Sequence, residues 1–189
     1  MAFNVLIVCT GNICRSPVAA RLLAHRLDPA WPVRITSAGT AAVVGYGIDA
    51  PSAQALAELG VEPQAHAARR LTNEMINAAD LVLTAETAHR SLVVQAEPLA
   101  FRRAFTLREF GRLGGHLPSL TAPPTVDQLR QRVAEIAASR GVREPPELGD
   151  DDIADPFGAS LEVARACTAQ ISDALDAVVR ALGSARVNV

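Results

Sequence analysis

Lysine is missing from this chain, so all 18 basic residues are arginine; we read a coding preference there and no function. Aromatic residues are scarce at 4%, which argues against an aromatic-rich β-sandwich and for a helix-rich α/β protein. A charge excess of either sign is lacking as well. With a formal net charge of -2 there is no broad cationic field for nucleic acid or an anionic membrane, so neither is expected as a partner, and any anion must be bound locally. The apolar start, MAFNVLIVCTGN, has no basic leader and is too short to cross a bilayer, from which we expect a cytoplasmic protein without membrane insertion. Cysteine occurs only three times, which excludes a disulfide framework and leaves thiols for chemistry or packing. Cys9 and Cys14 have no second pair at zinc-like spacing, so no metal and no cofactor is expected.

What is present fits one domain of 189 residues around one core. Phe3 to Val8 reads as a buried parallel strand that stops at Cys9. Pro17 suits the first turn of a helix that buries Val18, Ala19, Leu22, Leu23 and Leu27. Strands are expected at Val33 to Ser37, Asp80 to Thr84 and around Leu99 to Phe101, with a helix from Ser52 to Leu59 ended by Gly60. The alternation predicts a central four-stranded parallel sheet with helices on both faces and ligands outside the carboxyl ends of the strands. From about 111 to 152 the chain turns rich in Gly and Pro around a helix at Thr125 to Ser139; we expect an excursion from the same domain that docks through Val126, Leu129, Val133 and Ile136. A last helix should run to Leu182, with Leu161, Ala164, Cys167, Ile171, Leu175 and Val178 inward and Gly183 at its end.

Between Cys9 and Arg15 lie Thr10, Gly11, Asn12, Ile13 and Cys14, on a loop joining a strand to a helix N-terminus. Free backbone N–H groups and aligned peptide dipoles make such a loop an anion site, and the same field favours a thiolate. Arg15 adds a planar fork of donors for phosphate oxygens. A sulfur nucleophile needs an acid at the departing oxygen, and Asp155, restrained by Pro156, is the candidate; the same carboxylate then activates water. Each residue also has an ordinary reading: Cys9 as core, Arg15 as surface charge, Asp155 as the cap of the last helix.

The run V-C-T-G-N-I-C-R-S-P after a strand and before a helix resembles the low-molecular-weight protein tyrosine phosphatases. That resemblance implies a metal-independent phosphomonoesterase acting on phosphorylated proteins, inhibited by inorganic phosphate and similar oxyanions. It implies Cys9 as nucleophile, Arg15 on the phosphate, Asn12 bracing the loop, Ser16 bonded to the thiolate, and Asp155 of D-P-F as general acid. Weaker echoes are S-A-G-T from Ser37, H-A-A-R-R-L from His66 and D-L-V-L-T from Asp80, with Ser37 and His66 supporting the loop. His66 reads equally as an ordinary structural histidine. The chain departs from the pattern in the forty or so residues before Asp155 and in Glu86, which stands where many relatives carry Asp and is not counted as catalytic.

Ile13 resembles the tyrosine-specific branch, since the protein-arginine phosphatases of the family carry Thr there. An aryl ring wants apolar walls, for which Phe157 and Tyr46 are candidates, whereas a phosphoguanidine wants an acceptor. Tyr46 among glycines reads equally as an exposed loop residue. Cys14 either packs or forms a reversible disulfide with Cys9. Arsenate reductases share the scaffold but use cysteines after the third strand, where Thr84 to Pro98 has none. A non-catalytic phosphoprotein-binding module is the rival from another class, opposed by the intact Cys9, Arg15 and Asp155.

Overall fold

The computed structural model describes residues 1–63, 65–120, 123–141, 147 and 149–183. Four strands, β1 (Phe3–Cys9), β2 (Val33–Gly39), β3 (Leu81–Thr84) and β4 (Ala104–Thr106), form one parallel sheet in the order β2-β1-β3-β4. Alternate side chains of β1 enter two separate cores. Phe3, Val5 and Ile7 join Leu81, Leu83 and Phe105 beneath α1 (Arg15–Arg26), α2 (Ala50–Glu58), α5 (Leu107–Gly114) and α7 (Leu161–Ala181). Leu6 and Val8 join Val82 and Ala104 beneath α3 (Asn73–Ala78) and α4 (Thr87–Ala96), through Ile76 and Val93. Burial on both faces explains why β1 reads as an unbroken apolar run.

The fourth strand is not at Leu99 to Phe101. Those residues form a 3-10 turn, Pro98–Arg102, whose Pro98 suits a first turn, and Leu99 and Phe101 stay exposed. The strand is the three-residue β4, entirely buried and too short to stand out by pattern. Gly111 and Gly114 lie within α5, where an added Cβ would come within 2.5 Å of Ala177 and 2.6 Å of Ala181, so these glycines let α5 approach α7 closely rather than loosen a loop.

Helix α6 (Val126–Ala138) docks as expected, with Leu129, Val133 and Ile136 buried and Val126 packed beside them. Arg140 fastens its end: Nη1 donates to Phe101 O at 2.5 Å, Nη2 to Ala104 O at 2.6 Å, and Nε to Glu109 Oε1 at 2.8 Å. Pro145 and Pro146 of the expected excursion lie outside the described residues. Helix α7 buries Ala164, Cys167, Ile171, Leu175 and Val178, while Leu161 is half-buried. Gly60 and Gly183 follow α2 and α7 with φ of 76° and 101°, which a side chain would resist. Among the described residues no helix is long and apolar enough to cross a membrane.

Candidate active site

The loop from Cys9 to Arg15 leaves the carboxyl end of β1, the central strand, flanked by the ends of β2 and β3. Its carbonyls are all engaged on the outside. Those of Cys9, Thr10, Gly11 and Ile13 accept from the amides of Thr40, Ala41, Val43 and Asp49 at 2.8–3.0 Å, and that of Asn12 accepts from His66 Nε2 at 2.7 Å. A trans peptide holds N–H opposite C=O, so the amides of Thr10 to Cys14 face the interior of the loop. This is an anion nest made of backbone alone.

Asn12 makes the curl possible. Its φ of 56° is left-handed, which costs a side-chain-bearing residue about 1–2 kcal/mol. Its fully buried amide offsets that cost, with Nδ2 donating to Ser16 Oγ and Ser37 Oγ at 2.9 Å each and Oδ1 accepting from Arg69 N at 3.0 Å. Because Ser16 Oγ accepts from Asn12, its own proton is free for Cys9 Sγ, 3.0 Å away. Gly39 supplies the room: a Cβ there would sit 2.4 Å from Thr10 O.

Arg15 opens α1 and is 1% exposed. Nη1 pairs with Glu86 and donates to Ile153 O at 2.9 Å; Nη2 reaches Asp155 Oδ2 at 2.7 Å and Thr10 Oγ1 at 3.4 Å. Nε is buried without a partner among the described residues. The Nε and Nη2 edge is therefore a planar pair of donors that an oxyanion could accept from, and the Asp155 carboxylate, 43% exposed, holds half of it. Asp155 does not cap α7, since Ser160 does so by accepting from Val163 N. A cavity of about 150 Å³ opens above the loop, lined by Cys9, Arg15 and Asp155 together with Ile13, Val43 and Phe157. Tyr46 is absent from that lining and 66% exposed, so the reading of Tyr46 as a wall gives way to the exposed-loop one. A larger cavity, about 700 Å³, lies at the amino edge of the sheet between Asp80 and α6, and none of Cys9, Arg15 and Asp155 lines it.

Burial raises the pKa of both other thiols. Burial pushes Cys14 up to about 12, with Asp49, Asp155 and Cys9 adding and a Ser52 hydrogen bond opposing. Cys14 is free here and packs with Ile13, Ala68 and Val43. Burial likewise lifts Cys167 to about 11, on the core side of α7.

Four contributors escaped the sequence reading. Arg69 and Ile153 act through backbone atoms, which no motif displays, although Arg69 lies in the quoted H-A-A-R-R-L run. Glu86 was set aside as non-catalytic, and it contacts Arg15. His89, 3% exposed, places Nε2 2.8 Å from Thr10 Oγ1. Its helix α4 was not foreseen; its spacing of three from Glu86 was the available signal.

The geometry has counterparts among known proteins. The family model "Low molecular weight phosphotyrosine protein phosphatase" matches residues 4–118. A protein-arginine-phosphatase of Geobacillus stearothermophilus is 31% identical over 182 residues, 96% of this chain and 97% of that protein. The low molecular weight protein-tyrosine-phosphatase Etp of Escherichia coli is 43% identical over 99 residues, 52% of this chain and 65% of its own length. Among solved structures, the Geobacillus stearothermophilus arginine phosphatase matches with a TM-score of 0.69 at 30% identity, over 94% of this chain and 91% of that one. A tyrosine phosphatase of Erwinia amylovora matches with a TM-score of 0.70 at 27% identity, over 97% and 95%.

Proposed function

Because this chain belongs to the low molecular weight phosphotyrosine protein phosphatase family of cysteine-dependent phosphatases, we propose that it hydrolyses phosphotyrosine on proteins through a phosphocysteine formed on Cys9. The observation that carries this reading is a sulfur held 3.0 Å from a hydroxyl donor inside a ring of inward amides, in a cavity shared with Arg15, whose Nε has no partner among the described residues.

In the first half-reaction the Cys9 thiolate forms the S–P bond as the P–O bond to the phenolic oxygen breaks, and Asp155 gives that oxygen its proton. The three remaining phosphoryl oxygens rest on the loop amides and the Nε and Nη2 edge of Arg15, so charge developing in flight meets donors already in place. To reach the leaving group, Asp155 exchanges its contact with Arg15 for the incoming phosphate. In the second half-reaction Asp155 takes a proton from water, the hydroxide oxygen bonds to phosphorus, and the S–P bond breaks to release inorganic phosphate and the thiolate. No step requires a metal. The 111–152 segment is read as an elaboration of this one catalytic domain.

Phosphotyrosine is favoured by the walls of the cavity, where Ile13, Val43 and Phe157 offer an aryl ring apolar surface. A second reading, phosphoarginine, is favoured by the near full-length match to a protein named for that activity. Hydrolysis of an aryl phosphate in excess chelator, wild type against Cys9→Ser, tests the chemistry: activity should persist in chelator and vanish in the variant. Phosphotyrosyl and phosphoarginyl peptides then test the substrate. Wild type should prefer the first, and Ile13→Thr should shift the ratio toward the second; a wild-type preference for phosphoarginine would overturn the tyrosine reading.

A further inference from the structure

A guanidinium can only donate, so Thr10 Oγ1 accepts from Arg15 Nη2 at 3.4 Å and its single proton must find another acceptor. The Nε2 of His89 stands 2.8 Å away. On the far side of the imidazole, Nδ1 is sealed from solvent without a hydrogen-bond partner among the described residues, 3.9 Å from Glu86 Oε2. Were the proton on Nε2, the bare lone pair of Nδ1 would face a carboxylate inside the protein and be repelled by it. With the proton on Nδ1, an N–H dipole faces that carboxylate instead. Glu86 therefore selects the tautomer in which Nε2 is bare.

We infer that His89 is a positioning residue of the phosphate site, a neutral imidazole that takes the Thr10 hydroxyl proton and so leaves the Thr10 oxygen turned toward Arg15. Three carboxylates favour the charged imidazolium: Glu86 at the start of α4, and Asp155 and Asp152 from the segment before α7. Arg15 from α1 opposes it, and burial opposes it more strongly, holding His89 below the usual histidine range. On protonation both ring nitrogens become donors, the Thr10 proton loses its acceptor, and the Thr10 oxygen is shared between His89 and Arg15.

The inference rests on Arg15 binding phosphate, and its test separates the two. In nitrogen-15 NMR of the full chain at pH 7.5, with His89 assigned by its absence from His89→Gln, Nε2 should be unprotonated and Nδ1 protonated. A proton on Nε2 would overturn the inference. Orthovanadate binding is the second readout. His89→Leu, which removes the acceptor, should weaken it about tenfold, the scale of one lost hydrogen bond, while His89→Gln, whose amide oxygen accepts in place of Nε2, should stay within about threefold. Thr10→Val should cost as much as His89→Leu, and the double variant no more than either; independent, multiplying losses would refute the relay. If wild type bound no orthovanadate, the phosphate reading itself would fall and take this inference with it; orthovanadate binding with the wrong tautomer sinks the inference alone.

Discussion

If phosphate is held on the Nε and Nη2 edge of Arg15, as proposed, Asp155 stands in its place, so Asp155→Asn should move binding and turnover in opposite directions. Asp155 Oδ2 lies 2.7 Å from Arg15 Nη2, and the two side chains are 43% and 1% exposed. A pair with one partner so open to water sits at the upper end of the surface range, about 1 kcal/mol. Freeing Nη2 from it should therefore tighten orthophosphate inhibition about fivefold. Loss of the proton donor should lower kcat about 10²–10⁴-fold on phenyl phosphate. The deficit should shrink for a nitrophenolate leaving group, which departs unprotonated. Steady-state kinetics with an aryl phosphate series and orthophosphate as competitive inhibitor measure both effects on the same preparation. Weaker orthophosphate binding in the variant would refute the reasoning, because it would mean that the carboxylate assists the anion site rather than occupying it. A deficit equal across all leaving groups would remove Asp155 from the role of acid.

Gly39→Ala places a methyl group 2.4 Å from Thr10 O, so the loop must shift; we expect orthovanadate affinity to fall and thermal stability to drop by about 1–3 kcal/mol, read by isothermal titration and by melting. Asn12→Ala forfeits three buried hydrogen bonds and keeps a left-handed φ, which predicts about 3–5 kcal/mol in urea unfolding, with Asn12→Gly milder than Asn12→Ala because glycine bears that φ freely. For Cys14 the folded value of about 12 lies above the ordinary 9.0, so the folded state holds the proton longer and stability falls as pH rises from 9 toward 12; Cys14→Ala should flatten that alkaline decline in denaturant titrations. Leu129→Ala, which empties a fully buried position of α6, should cost about 2–5 kcal/mol while leaving kcat of the folded fraction unchanged, as comparison of melting with active-site titration would show.

The loop was legible because its chemistry is local: seven consecutive residues, a strand before and a helix after. The sheet was legible where both faces are buried, as in β1, whose apolar run has no interruption. Legibility failed where tertiary context decides. Nothing in Ala104 to Thr106 announces a strand, since three residues carry no period, and the more apolar Leu99 and Phe101 drew the assignment away. Gly111 and Gly114 looked like loop punctuation because the alanines of α7 that they accommodate lie more than sixty residues downstream. Residues that serve through a carbonyl or an amide, as Ile153 and Arg69 do, have no side-chain signature to read. Between the two readings open for Tyr46, only space could decide: an aromatic near the site in sequence reaches solvent.

Arg15 draws its partners from the whole length of the polypeptide, Thr10 beside it, Glu86 in the middle and Ile153 from 138 residues further on. During synthesis every atom of the Cys9 to Arg15 loop thus emerges early, whereas Ile153, whose carbonyl accepts from its guanidinium, arrives only with the downstream third. A product ending near residue 118 would carry the complete signature motif yet lack the Ile153 carbonyl and the Asp155 carboxylate that orient its arginine.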